Sequence, residues 1–418
     1  MTDFQTGTPA TRAGDGQFTA GLLQATLTAR KVASIVALAY DGPQLRGYTV
    51  ALGLGEQPER VEQLAGALAL AAGVDSCRVA RDGGKLLLEL PKPDAERKPL
   101  RAGRLEALTP ATPTAVCLGI ATGGRALWVD LADERAAHIV IGGTTGSGKS
   151  VLLRWLLYRL AMQNDPAALR LALIDPKAFE LADFGRLPHL LHPVVSRPLE
   201  VSRLLTWCAG ELERRAQAGR GGGGPRLVVV VEEVADLLAA NREVGPLLAR
   251  IAQIGRALGV HLIATTQQPG ARSLGDALVN FPARILGRVA SSTLAYGAAG
   301  RRQTGADCLL GRGDFLLLSA GETVRFQAPL LDGRQLTQLP RAATVATLEA
   351  ELPTAVAIAD LTRDPRGGRG RRELTTADYA HIEAAVAAGA GADDLRAGYG
   401  IGYERAARIV GGYREVTA

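Results

Sequence analysis

Gly143-Thr-Thr-Gly-Ser-Gly-Lys149-Ser150 matches the spacing GxxxxGK[ST]. It lies between a strand-like apolar run, Ala137-His-Ile-Val-Ile141, and a helical stretch over residues 151–162. Gly143, Gly146 and Gly148 let backbone N–H groups turn toward an anion where a Cβ would clash. The N-terminus of the following helix adds a partial positive charge. In this setting Thr144, Thr145 and Ser147 complete a phosphate loop. Lys149 bridges the β- and γ-phosphates of a nucleotide such as ATP, and the Ser150 hydroxyl takes Mg²⁺. Only six of the 48 basic residues are Lys, and beyond Lys98 only Lys149 and Lys177 remain. A retained ammonium in an Arg-rich chain points to a specific chemical need.

Outward from this loop, Leu227-Val-Val-Val-Val231 is a fully apolar strand ending in Glu232-Glu233. Two carboxylates there suit a metal-side acid followed by a general base: Glu232 reaches Mg²⁺ through water, and Glu233 polarises the attacking water. The extra methylene of Glu232, relative to Asp, moves its carboxylate by ~1.5 Å, so that it either crowds the metal or still reaches it through water. The plainer alternative is a solvated acidic pair opening a helix, favoured by the helix dipole. His261-Leu-Ile-Ala-Thr-Thr-Gln267-Gln268 ends another strand, and Gln267 is placed to sense the γ-phosphate or orient water.

Further apolar runs at 171–174 and 284–289 alternate with helical patterns at 151–162 and 199–216. This alternation predicts an α/β fold with a mostly parallel sheet, helices on both faces and ligands beyond the C-terminal strand ends. Residues 1–17 read as a disordered tail. Residues 18–131 form a small α/β accessory domain, with strands near 48–54 and 85–90 and a helix at 59–72. Residues 132–345 form the ATPase core. A glycine-rich loop lies at 219–226, and residues 346–372 make a basic Gly/Arg linker. Residues 373–418 read as a small module of three short helices, in which Arg405 and Arg408 lie one turn apart and are placed to face a DNA groove. A packing or docking module is the alternative for this segment.

The chain has 418 residues, 47% hydrophobic and 22% charged, a balance that excludes wholesale disorder. Aromatic residues are only 4%, so aliphatic side chains must build the cores. Four scattered cysteines, with no CxxC pair, exclude a disulfide framework and a zinc ribbon. No apolar run approaches the ~20 residues that cross a bilayer. The N-terminus lacks an apolar signal core. The expectation is a protein without a membrane segment, in the cytoplasm. A net charge of +6 is compatible with a nucleic-acid partner.

Eight blocks in order carry a family resemblance: Ile141-Gly-Gly-Thr-Thr-Gly-Ser-Gly-Lys-Ser150, Leu173-Ile-Asp-Pro-Lys177, Pro188-His-Leu-Leu191, Glu211-Leu-Glu-Arg-Arg215, Val231-Glu-Glu-Val-Ala-Asp-Leu237, Thr266-Gln-Gln-Pro269, Phe281-Pro-Ala-Arg-Ile285 and Gly305-Ala-Asp-Cys-Leu-Leu-Gly-Arg-Gly-Asp314. Together they resemble the motor domain of the FtsK/SpoIIIE double-stranded DNA translocases. Residues 41–90 are similar to the small α/β domain that precedes such motors. Ile401-Gly-Tyr-Glu-Arg-Ala-Ala-Arg-Ile409 resembles the recognition region of the family's helix-turn-helix module.

The resemblance implies a RecA-like P-loop ATPase working as a homo-oligomeric ring, a hexamer, that pumps double-stranded DNA through its pore. It implies that Glu233 is the catalytic acid-base residue, that Gln267 matches the family's Gln, and that Arg284 is a finger reaching a neighbour's ATP. Glu232 stands where the family has Asp, and Gln268 where it usually has Arg. By the same resemblance Arg325, Arg301 and Arg302 map near the DNA-contacting pore loops. The family's membrane-spanning N-terminus has no counterpart here, which points to a soluble relative carried by a mobile element, plasmid or phage. Two other readings are a VirD4/HerA-like DNA coupling or packaging ATPase, and an ATP-binding DNA scaffold with weak hydrolysis. DNA stimulation of ATP turnover separates the scaffold from the motors.

Overall fold

A computed structural model of the chain describes residues 15–348, except 83, 220–223, 242, 271–279 and 302–303, together with 391 and 395. Residues 1–14 of the tail expected over 1–17, the basic linker beyond residue 348, the C-terminal module apart from residues 391 and 395, and Arg302, Arg405 and Arg408 lie outside the described residues.

The small N-terminal unit opens with α1 (Asp15–Ala29), which therefore starts inside the expected tail. Four strands follow: β1 (Ser34–Asp41), β2 (Leu45–Leu52), β3 (Arg78–Asp82) and β4 (Lys85–Pro91), ordered β1-β2-β4-β3 with all pairs antiparallel. The helix expected at 59–72 is two, α2 (Pro58–Gln63) and α3 (Ala65–Ala71), divided at Leu64 (φ −90°, ψ 3°). Val61 and Leu68, one from each, still reach the same core as Leu23 and Leu27 of α1 and Tyr48, Val50, Leu86 and Leu88 of the sheet.

The large unit is one nine-stranded sheet. Its strands are β6 (Ala115–Ala121), β7 (Ala126–Asp130), β8 (His138–Gly142), β9 (Leu169–Ile174), β10 (Arg226–Val231), β11 (Val260–Thr266), β12 (Ala283–Leu286), β13 (Asp314–Ser319) and β14 (Glu322–Gln327), in the order β7-β6-β14-β13-β12-β8-β11-β10-β9. The five strands from β12 to β9 are parallel. The four from β13 to β7 pair antiparallel. The parallel expectation thus holds for the motif-bearing half, while tight hairpins build the other half. Residues 115–130, which the sequence assigns to the accessory region, are hydrogen-bonded into this large sheet through β6 and β14. A two-residue pairing of β5 (Leu100–Arg101) with β15 (Pro329–Leu330) ties the intervening chain down.

Both faces of the parallel strands are buried, which explains their unbroken apolar runs. Ile139, Ile141, Leu171, Leu173, Val228, Val230 and Ile263 pack on one side with α5 (Lys149–Gln163). Val140, Ala172, Ile174, Val229, Val231, Leu262 and Ala264 pack on the other with α6 (Pro198–Gln217) and α8 (Val244–Ile254). Strand alternation sends successive residues to opposite layers.

Candidate nucleotide-binding site

The phosphate loop leaves the C-terminal end of β8 and enters α5, whose N-cap is Gly148. Gly143, Gly146 and Gly148 have φ of 151°, 80° and 102°, a region that side chains disfavour. At Gly148 a Cβ would stand 2.8 Å from the Gly313 nitrogen, so the glycine is also needed for close approach. The loop is braced on two sides. The Thr144 N–H and hydroxyl both donate to the Arg288 carbonyl, at 2.8 and 3.0 Å. The Arg312 and Gly313 N–H groups donate to the Gly146 and Ser147 carbonyls, at 3.0 and 2.9 Å.

Lys149 is buried beneath this arch, with Nζ donating to the Gly143 and Thr144 carbonyls at 2.7 and 3.2 Å. Burial lowers its pKa, while the charges of Glu233 and Glu232 work in the opposite direction. An ammonium held among loop carbonyls is well placed to exchange them for phosphate oxygens. Ser150 is half-buried in the first turn of α5.

Strand β11 lies between β8 and β10, so its end, Thr265-Thr266-Gln267, is wedged between the phosphate loop and the glutamate pair. Glu233 adopts φ 48° at the N-cap of α7 (Val234–Ala240). That non-glycine left-handed backbone is the kind of strain that active sites retain. The Glu233 carboxylate accepts from Thr266 Oγ1 at 3.1 Å and from the Gln267 N–H at 2.9 and 3.2 Å. The Gln267 side chain in turn accepts from Thr145 Oγ1 at 3.2 Å. Gln267 therefore connects the phosphate loop to Glu233 directly.

Glu232 behaves differently. It is buried, its Oε1 is in long contact (3.5 Å) with the Thr265 hydroxyl, and its Oε2 makes no hydrogen bond among the described residues. Burial first, and the neighbouring Glu233 charge second, push its pKa up to about 7. Lys177, from the Asp175-Pro-Lys177 turn, pulls it back down. A carboxylate oxygen left without a donor fits a cation or its water shell. Among the described residues no group of three or more His, Cys, Asp or Glu could hold a metal by itself. Mg²⁺ at phosphate-transfer sites is bound by one or two protein oxygens plus substrate phosphates. Glu232 and Ser150 are the residues that would hold it.

Asp175 is fully buried and accepts from the Lys177 and Leu181 N–H groups, so it shapes the turn that carries Lys177 toward the site. The sequence motif named Asp175 and Lys177 but supplied no role for either. Thr265, Thr266 and the 311–313 loop went unrecognised as site residues. Their signal was weak: two hydroxyls at a strand end, and a Gly-Arg-Gly whose target lies far back in the chain.

The remaining site residues lie elsewhere. Arg284, half-buried on β12, donates to the Ala298 carbonyl at 3.3 Å, at the end of α9 (Ser292–Ala299). Arg301 is exposed, with Nη1 on the Gly321 carbonyl at 2.6 Å. Arg325 requires a correction. It is only 3% exposed, its Nε and Nη2 form a fork on Asp314 at 2.9 and 2.7 Å, and its Nη1 reaches Glu89 at 3.3 Å. A guanidinium saturated by two buried carboxylates is not presented to DNA phosphates. It sits mid-strand on β14, where the register opposite Leu316 turns it inward.

Residues 107–223 and 217–271 match the sequence profile of the FtsK/SpoIIIE family. A DNA translocase SftA of Bacillus subtilis is 29% identical over 93% of this chain and 43% of its own length. A DNA translocase FtsK of Lactiplantibacillus plantarum is 31% identical over 88% of this chain and 50% of its own. The chain thus spans about half the length of the curated relatives it matches. Among solved structures, the pCW3 conjugation coupling protein TcpA with ATPγS superposes with a TM-score of 0.52 at 20% identity, over 76% of this chain and 96% of that one. The cytoplasmic domain of the Thermomonospora curvata type VII secretion ATPase EccC gives 0.50 at 25% identity, over 67% and 36%. No helix of the described residues is long and apolar enough to cross a membrane. The phosphate loop, the acidic strand end beside it and the order of motifs place residues 107–271 of this chain in the FtsK/SpoIIIE family.

Proposed function

We propose that this chain hydrolyses ATP to move along double-stranded DNA, as one copy in a ring of six. The observation that carries the reading is the hydrogen-bonded connection from Thr145 through Gln267 to Glu233, beside the buried Lys149. It joins a triphosphate cradle to a positioned carboxylate, as hydrolysis requires. Residues 143–150 bind the nucleotide. Glu232 and Ser150 hold Mg²⁺, which when bound neutralises developing charge on the phosphates. Glu233 takes the proton of the attacking water, and Gln267 reports the state of the phosphate loop to it. Arg284 completes the site of a neighbouring copy. The naming of the relatives as DNA translocases supports DNA as the partner. The exposed Arg301 is a phosphate contact on this reading, together with Arg302, Arg405 and Arg408.

The test is ATP turnover with and without linear duplex DNA. Turnover should rise on DNA and vanish in Lys149→Ala. Turnover that ignores duplex DNA refutes the motor, and unchanged turnover in Lys149→Ala refutes the site.

A further inference from the structure

The small N-terminal unit meets the large sheet through four buried or nearly buried charges. Glu89 of β4, 1% exposed, accepts from Arg78 Nη1 at 2.8 Å, from Arg325 Nη1 at 3.3 Å and from the Thr122 hydroxyl at 2.7 Å. Arg325 grips Asp314, which is fully buried. Two carboxylates thus face two guanidiniums, with no net charge. Burial alone would raise the Glu89 pKa, but Arg78 and then Arg325 outweigh it, so the carboxyl is held below its usual range.

Asp314 is also the anchor of the loop before β13. Its Oδ2 accepts from the Leu310 N–H at 2.8 Å, closing a tight loop over Gly311-Arg312-Gly313. All three have positive φ, 77°, 51° and 93°. For arginine that backbone is unfavourable, and it persists only where surroundings over-determine it. Here they do. The Arg312 carbonyl accepts from Gln327 Nε2 at 3.2 Å and stands 3.5 Å from Gln44 Nε2 of the small unit. The Gly313 carbonyl accepts from the Ala328 N–H at 2.7 Å. The two N–H groups so fixed are those that brace Gly146 and Ser147 of the phosphate loop.

We propose that Glu89 is a positioning residue of the nucleotide site, acting through Arg325 and Asp314 on the 311–313 loop that backs the phosphate loop. The small unit is then part of the ATP-binding apparatus, and nucleotide binding and the seating of this unit are coupled reciprocally. The inference rests on the phosphate loop binding nucleotide and not on the DNA reading.

The experiment measures ATPγS affinity by titration, and amide hydrogen exchange by mass spectrometry, on the full chain. Three variants are compared with the unaltered chain. Glu89→Gln removes the charge. Thr122→Val removes only the hydroxyl on Glu89 and leaves every ion in place. Val61→Ala lowers the stability of the small unit's core without touching the charges. Glu89→Gln should weaken ATPγS about threefold or more and speed exchange at Arg312 and Gly313. Thr122→Val should do the same to a lesser degree, and Val61→Ala should leave affinity unchanged. In the unaltered chain, ATPγS should slow exchange across β3 and β4. Equal affinity in all four proteins, with exchange at Arg312 and Gly313 unmoved by Glu89→Gln and Thr122→Val, overturns the coupling. Weakening by Val61→Ala as large as by Glu89→Gln also overturns it, since loss of stability then explains both. If the unaltered chain fails to bind ATPγS, the site itself is refuted.

Discussion

Arg325→Ala discriminates between a DNA contact and a buried structural cation. The arginine makes three charge-assisted bonds, two to Asp314 and one to Glu89, inside the protein. Its removal strands the two carboxylates unequally. Glu89 keeps Arg78 at 2.8 Å and Thr122 at 2.7 Å. Asp314 keeps, among the bonds described, only the Leu310 N–H. Breaking a buried ion pair from one side costs about 3–5 kcal/mol, and most of that cost should fall on Asp314. Arg325→Ala should therefore lower unfolding stability by that amount. Adding Asp314→Asn should recover a large part, because the stranded charge is gone. Urea unfolding followed by tryptophan fluorescence reads both; Trp155 is fully buried in the large core and its indole donates to the Cys117 carbonyl at 2.7 Å. DNA affinity of the folded fraction should keep the salt dependence of the unaltered chain. An Arg325→Ala protein of unchanged stability, but with a shallower salt slope for duplex DNA, would refute the burial argument and restore the arginine to a pore loop.

Other outcomes follow from the same geometry. Arg284→Ala should bind ATP normally and lose turnover by about 10³-fold or more; mixing it with Glu233→Ala protein should restore part of the activity, and no restoration would count against a site shared between copies. Arg301→Ala should weaken duplex DNA binding evenly across sequences and lower the slope of log affinity against log salt by about one; an unchanged slope removes Arg301 from the DNA path. Stability should fall in mild acid because of His138 and His261, whose rings lie 6.4 Å apart at the start of β8 and β11. Burial first holds each at about 4, against 6.5 ordinarily. Between those values the unfolded chain binds more protons, so stability is complete above about pH 6.5 and is lost as pH falls toward 4, by about 2 kcal/mol per histidine at pH 5. A double His138→Asn, His261→Asn variant should show a flatter profile from pH 7.5 to 5, and an equally steep one would exclude these histidines as the cause.

The sequence by itself determined where the phosphate loop lies and how its backbone turns. A phosphate loop is contiguous, and its chemistry depends on local backbone freedom at Gly143, Gly146 and Gly148, whose positive φ is a property of single residues. The parallel strands were equally legible, because a strand buried on both faces must be apolar at every position. Glu232 and Glu233 could be placed at a strand end for the same reason. Tertiary structure decided everything that depends on which distant side chain lies opposite. Thr266 and Gln267 serve Glu233 only because β11 runs between β8 and β10. The antiparallel half of the sheet recruits residues 115–130 across some 200 positions through pairings such as Phe326 with Ala121. The resemblance maps Arg325 near a pore loop, and its sequence neighbours carry no trace of Glu89, 236 positions earlier. Charge in a sequence says that a partner must exist, and only the fold says whether that partner is a buried carboxylate or a phosphate outside.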